Sequence, residues 1–482
     1  MNNLRQQATQ GIFWSAIERF SVQGVQFLIG IIMARLLTPH DYGLIGMLAI
    51  FMSLSQVFID GGFSIALIQK KDRTNEDFTT VFYINLAISV FLYLLIFLSA
   101  PYIASFFKQP VLIDVARVYC FNLVINSLAA VNKTKLTIDV DFKTQSKISL
   151  IAAIVSGAIG VYAAYQDFGV WALVIQAIVS GILNVALSFV YVKWLPSFQF
   201  SVQSFRKLFK FGSKVLGATI INDVYTNLYS LAIGKKYSAV DLGYYTRAMQ
   251  FTSLVSDNLS GILYRVSLPI LSTIQDDDER LVRVYRKYMQ TACFLMFPLI
   301  LLLCGISKPL IILLLTEKWA DTIPLMQILC FNYLWSPVTK VNLNLLYVKG
   351  RSDLILKLEI IKKTIALTIL FSSLLFNLQV VCIGLALYSF IAVYLNSYYT
   401  GKLLNYGFFK QMRDLAPSLA FSVIIMIESL TISEIVNNNI LSIALSLIVT
   451  MSTYLLLSYT FKISSLREIF VTLDIKKYIK RR

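Results

Sequence analysis

Ala34-Arg35-Leu36-Leu37-Thr38-Pro39-His40-Asp41-Tyr42-Gly43 returns 200 residues later, without a gap, as Gly234-Lys235-Lys236-Tyr237-Ser238-Ala239-Val240-Asp241-Leu242-Gly243. A cation stands over a cation at 35 and 235, and a hydroxyl over a hydroxyl at 38 and 238. Asp41/Asp241 and Gly43/Gly243 are identical, and the correspondence runs on through Phe51/Phe251, Ser53/Ser253, Leu54/Leu254 and Gly61/Gly261. Each copy covers two hydrophobic segments and the polar turn that joins them. A membrane protein made of tandem halves commonly holds its substrate where the halves meet and moves one half against the other. The repeat therefore points to a transporter before any motif is consulted.

Composition agrees. Of 482 residues 57% are hydrophobic and only 14% charged, and the mean hydropathy is +0.70. A water-soluble chain cannot hide so much apolar surface, so the class is an all-α polytopic membrane protein. The net charge of +17 reads as basic loops facing anionic lipid, and no nucleic-acid partner is expected. The apolar run from Ile12 to Leu36 is too long for a cleavable signal and a second segment follows at once. Five cysteines and a single histidine, His40, leave no CxxC pair and no histidine-based zinc site, so neither metal nor cofactor is expected.

About fourteen segments, from 12–36 to 440–461, are long enough to span, given that roughly twenty residues cross a bilayer. Spans joined by such mixed loops must be helices, because lipid satisfies no backbone group. The stretch 307–323 is the ambiguous one. Of the 43 lysines and arginines, Arg35, Lys108, Lys235, Lys236, Arg247, Lys308 and Lys318 fall in outer turns. Arg19, Arg117, Arg265 and Lys340 fall within spans, and the others fall on one side, which puts both termini in the cytoplasm. The repeat divides the chain into a six-helix lobe at 1–200, a second at 201–400, and a two-helix addition with a basic tail at 401–482.

No GxxxxGK[ST], GxSxG or HExxH occurs, and the outer loops are mere turns, so the chain reads as a carrier and not an enzyme. What remains is polarity inside the membrane. A charge at mid-bilayer costs about 2.5–3.5 kcal/mol on insertion scales, so each one marks a protein-facing or wet position. Gln23 and Gln26 share one face with Arg19 on the first helix, and Gln56 and Asp60 one face of the second. Asp223 lies on the seventh and Asp257 on the eighth, beside Arg265. Asn332, Ser336 and Lys340 line the tenth, where Pro337 predicts a kink. Stripes on the first, second, seventh and eighth helices suggest one shared wet cavity, made cationic by Arg19, Arg265 and Lys340 and suited to phosphate oxygens. Snorkelling to the interface is the alternative for Arg19 and Arg265. Asp60, Asp223 and Asp257 are candidates for ion coupling, with ion pairs or helix–helix hydrogen bonds as the alternative. Asp60-Gly61-Gly62 is either a hinge or a close helix contact. Asp41-x-Gly43 and Asp241-x-Gly243 are expected to shape turns.

Two stretches carry a resemblance. Ala34 to Gly43 resembles the first outer turn of bacterial polysaccharide flippases, and Phe58-Ile59-Asp60-Gly61-Gly62-Phe63-Ser64-Ile65-Ala66-Leu67-Ile68-Gln69 resembles the end of their second helix. These are the O-antigen and exopolysaccharide (Wzx-type) transporters of the multidrug/oligosaccharidyl-lipid/polysaccharide superfamily. The resemblance implies two six-helix bundles around a central cavity and alternating-access flipping of polyprenyl-diphosphate-linked oligosaccharide for surface polysaccharide or lipopolysaccharide synthesis. It also implies a diphosphate role for basic residues on helices 1 and 8, here Arg19 and Arg265 by position. Membrane lipids and glycan polymerase or assembly proteins are the implied partners. A drug/cation antiporter of the same superfamily and a peptidoglycan-precursor flippase stand as alternatives. A membrane glycosyltransferase and a non-transporting scaffold are the rivals from other classes.

Overall fold

The computed structural model describes residues 21–463, 465 and 466, the side chains of 218, 260–266 and 268–270 excepted. Among the described residues the chain is helical, with turns and no strand. The helices are α1 (Ser21–Leu36), α2 (Pro39–Asp60), α3 (Phe63–Gln69), α4 (Asn75–Phe107), α5 (Leu112–Tyr119), α6 (Asn122–Ile138), α7 (Phe142–Tyr165), α8 (Val170–Val192) and α9 (Val202–Lys236). They continue as α10 (Ala239–Ser272), α11 (Asp278–Gly305), α12 (Ser307–Leu315), α13 (Thr322–Leu334), α14 (Ser336–Val348), α15 (Ser352–Ser373), α16 (Leu378–Leu404), α17 (Phe408–Ile435) and α18 (Asn439–Thr460). Nine helical bodies among the described residues are long and apolar enough to cross a membrane. The ambiguous 307–323 stretch holds α12, nine residues long, and a turn of 3-10 helix at Glu317–Trp319. Neither is long enough to cross.

The repeat is visible in local structure. Thr38 caps α2 in a reciprocal box. Its hydroxyl donates to Asp41 Oδ2 (2.6 Å) and accepts the Asp41 amide (3.4 Å), while the same carboxylate accepts the Thr38 amide (2.9 Å). Ser238 and Asp241 repeat this at the start of α10, with distances of 2.7, 3.1 and 3.1 Å. Each box satisfies amides that a helix start would otherwise leave unpaired. Asp41 and Asp241 thus shape turns, as the sequence predicts.

By packing, the chain forms two compact units, Met1–Gly243 and Tyr244–Arg482. The division falls inside α10, later than the lobe boundary at 200 read from the repeat. The reason is α9, which packs against α2, α3 and α4. Symmetry and packing are therefore divided differently along the chain.

In the first unit the aromatic core of Phe63, Phe78, Phe82 and Trp194 joins α3, α4 and the segment after α8. Lys135 lies over the rings of Phe78 (4.7 Å) and Trp194 (5.4 Å), and Trp194 Nε1 donates to Asn75 Oδ1 (2.6 Å). The turn between α3 and α4 is fixed by Lys70 paired with Asp77 (2.6 Å) and by Arg73, which donates to the carbonyls of Leu67 and Ile68. A cation on the last carbonyls of a helix satisfies their unpaired acceptors and its dipole together.

In the second unit the core centres on Tyr285, Met289, Phe297, Val338 and Leu345. All five cysteines of the chain are buried and free, as expected of small core residues. The tenth span breaks between α13 and α14 at Trp335, with Pro337 in the first turn of α14. This is the kink the sequence predicts, since proline cannot donate within the ladder.

Candidate functional site

In the first unit, Asp60 ends α2 and is followed by Gly61 (φ 51°) and Gly62 (φ 71°), both left-handed. Such a pair breaks a helix at no steric cost, which a side chain would incur. The break is also a close contact. A Cβ on Gly62 would lie 2.5 Å from the Gly212 carbonyl oxygen, and one on Gly212 would lie 2.7 Å from that of Gly61. The structure shows the close helix contact that is one of the two sequence readings of Asp60-Gly61-Gly62, at a break in the helix. Asp60 itself is half-buried and accepts the Ser64 hydroxyl (2.5 Å), which in turn accepts that of Thr134 on α6 (3.2 Å). The chain Thr134–Ser64–Asp60 ties the broken helix to α6.

Also in this unit, Gln23 is half-buried on α1, and Gln26 on α1 and Gln56 on α2 are exposed. Asp223 on α9 is half-buried, and its Oδ2 is shielded with no hydrogen-bond partner among the described residues. Thr219 and Thr226, about one turn to either side of it on α9, are exposed and donate to backbone carbonyls of their own helix. Arg19 lies outside the described residues.

The second unit brings two of the sequence candidates together. Lys340 Nζ on α14 lies 3.5 Å from Asp257 Oδ1 on α10, and the two side chains are 39% and 59% exposed. An accessible pair at this spacing is held loosely and stays open to exchange. Asn332 and Ser336 are half-buried at four-residue steps before Lys340. Asn344, one step further, is buried and donates to Ser267 Oγ at 2.7 Å. The stripe therefore runs from reachable positions into a closed helix contact. Arg265 lies on the same helix as Asp257, with its side chain outside the description. Arg247, assigned to an outer turn by sequence, is instead buried beside Trp319 (5.7 Å) with Gln250 as partner.

One polar cluster escaped the sequence reading. Asn342 and Gln411 exchange reciprocal amide hydrogen bonds at 3.0 Å, and Thr400 donates to Asn342 Oδ1 at 2.7 Å. Beside them Asp414 accepts from Tyr406 (2.7 Å) and pairs with Arg286. Burial, then the adjacent Asp414 carboxylate, pushes the Tyr406 phenol well up from its ordinary range, so it remains a donor. This cluster joins α11, α14, α16 and α17. Its members are far apart in sequence, and an isolated Asn or Gln in an apolar run names no partner.

The chain is 25% identical over 359 residues to the teichuronic acid biosynthesis protein TuaB of Bacillus subtilis (strain 168), covering 73% of this chain and 74% of that one. It is 26% identical over 366 residues to the lipopolysaccharide biosynthesis protein WzxC of Escherichia coli (strain K12), covering 75% and 74%. Among solved structures, the lipid II flippase MurJ in an inward closed conformation shares the fold, with a TM-score of 0.75 at 14% identity over 93% of this chain and 98% of that one. The model of the polysaccharide biosynthesis protein family matches residues 32–324, and the chain belongs to that family.

Proposed function

We propose that the protein is an alternating-access flippase that carries polyprenyl-diphosphate-linked oligosaccharide repeat units from the cytoplasmic to the outer leaflet of a bacterial inner membrane, for assembly of surface polysaccharide. The observation that carries this reading is family membership of a multi-pass helical chain whose relatives are named for teichuronic acid and lipopolysaccharide biosynthesis. The loop basicity sets both termini on the cytoplasmic side. The Lys70–Asp77 turn then faces the cytoplasm, and the capping boxes at Thr38 and Ser238 face outward. Residues 1–200 and 201–400 act as the moving lobes, with 401–482 as an addition.

Within this reading Lys340 is the diphosphate ligand on α14, joined by Arg19 and Arg265. Asp257 serves as its resting counter-ion, displaced when phosphate oxygens arrive. An exposed ion pair is weak enough for that exchange, and a diphosphate, with two negative charges and several acceptor oxygens, competes well with one carboxylate for the same ammonium. Gln23, Gln26, Gln56, Asn332 and Ser336 supply hydrogen bonds to sugar hydroxyls. Asp60 and Asp223 are the candidates for ion coupling. Chemistry on the glycan is not required of any residue, which makes the chain a carrier and not an enzyme.

The test is the leaflet distribution of lipid-linked oligosaccharide in cells lacking the protein, read with a glycan-cleaving probe applied from outside. Accumulation confined to the cytoplasmic leaflet, reversed by the wild-type chain, supports the reading. Normal delivery to the outer leaflet contradicts it.

A further inference from the structure

A groove of about 820 Å³ runs between α4, the α2–α3 break and α9. Its walls are aromatic: Phe58, Phe63, Tyr83, Phe91, Phe205 and Phe209. Phe205 and Phe209 stack at 5.3 Å, and each lies 6.3 Å from Phe63. On α4 the lining positions recur at helical spacing from Tyr83 through Ala87 to Leu92, a length of roughly 13 Å at the helical rise. Gly61, in the break that packs on Gly212, lies in the floor. Phe91 and Phe209 remain well exposed. Volume and lining are those of a small-molecule site that opens to the outside of the first unit.

We infer that this groove holds the polyprenyl chain of the lipid-linked substrate in the cytoplasmic leaflet. The identity of the lipid rests on the flippase reading above, and charge and shape select the occupant. The α9 wall of the groove is one helical face, Phe205, Phe209 and Leu216. The rest of the same turns carries Arg206, Lys207, Lys210 and Lys214, all exposed and with no carboxylate partner among the described residues. An apolar slot beside four uncommitted cations matches an amphiphile with a highly charged anionic head. A diphosphate meets that better than the single phosphodiester of a phospholipid. Rigid ring walls favour a methyl-branched, unsaturated chain, which presents close-packing groups along its length, over a straight saturated one that conforms to any surface. Because its floor is the α2–α3 joint, an occupied groove braces the break in α2.

The test uses the full chain in nanodiscs of defined phospholipid, with a diazirine-bearing polyprenyl diphosphate as probe and peptide mapping of the label. Label is expected on Tyr83–Leu92 and Phe205–Leu216. Ala87 is exposed into the groove, so Ala87→Trp should plug it and cut labelling by roughly tenfold, equivalent to about 1.4 kcal/mol of binding. Leu98→Trp, higher on the same helix and 71% exposed, should leave labelling unchanged and controls for folding. Lys207→Gln/Lys210→Gln should weaken the diphosphate probe but not a neutral polyprenol. Label spread evenly over lipid-facing helices, label undiminished by Ala87→Trp, or equal labelling of these peptides by a diazirine phosphatidylglycerol would each overturn the inference. A wild-type chain that moves lipid-linked glycan but labels elsewhere overturns the groove alone. One that labels here but moves nothing contradicts the flippase reading alone.

Discussion

Gly43 and Gly243, which correspond across the repeat, make reciprocal contacts. A Cβ on Gly43 would collide with the backbone carbonyl of Ala239, and one on Gly243 would collide with that of Pro39. Since 39 and 239 also correspond, the two copies meet about a local pseudo-twofold, each helix start filling the gap left by the other copy's glycine. Small residues allow helices this approach.

Gly43→Ala and Gly243→Ala are each expected to destabilise the chain by about 1–3 kcal/mol, the usual cost of overpacking. Because both act on one joint, the double variant should cost less than the two singles combined. Thermal denaturation in detergent checks this. Additive losses would show that the two contacts are independent.

Asp41→Ala and Asp241→Ala each remove the acceptor of a capping box and are expected to cost about 0.5–2 kcal/mol. Asp41→Asn and Asp241→Asn keep a side-chain acceptor and should cost less. The same denaturation measurement separates them, and similar values for the two copies are expected because their geometry is so alike.

Asn342→Leu or Gln411→Leu leaves a buried amide without its partner and should cost about 1–3 kcal/mol. The double replacement removes both polar groups and should recover much of that loss. A double-mutant cycle on stability gives the coupling.

Lys340→Ala should reduce glycan export strongly while leaving the melting temperature nearly unchanged, because an exposed ion pair contributes about 0–1 kcal/mol. Lys340→Arg should retain most of the export, and Asp257→Asn should retain folding. Surface glycan measured at matched protein levels checks the pattern. Unimpaired export by Lys340→Ala would remove this residue from the substrate site.

Much of the fold was legible. The Thr38-x-x-Asp41 and Ser238-x-x-Asp241 spacings encode their caps locally, and Pro337 encodes the break between α13 and α14, because backbone chemistry within one turn decides both. Asp60-Gly61-Gly62 was legible as a hinge or a close contact, and the close contact with Gly212 is what the structure shows. What periodicity cannot supply is the partner of a face. It gave the seventh span a polar stripe at Asp223, yet not the packing of α9 on α2, α3 and α4. It placed Lys340 and Asp257 on separate stripes without pairing them. Asn342 and Gln411 left no mark at all, since their pairing depends on where α14 and α17 meet.

The central claim is tested most directly by the purified chain reconstituted into sealed vesicles carrying a polyprenyl-diphosphate-linked oligosaccharide, with glycan exposure on each side followed over time. The account predicts movement of the glycan across the bilayer that requires the wild-type protein and falls sharply with Lys340→Ala. Glycan that stays in its original leaflet, in vesicles where the protein is folded and both orientations are represented, would contradict it.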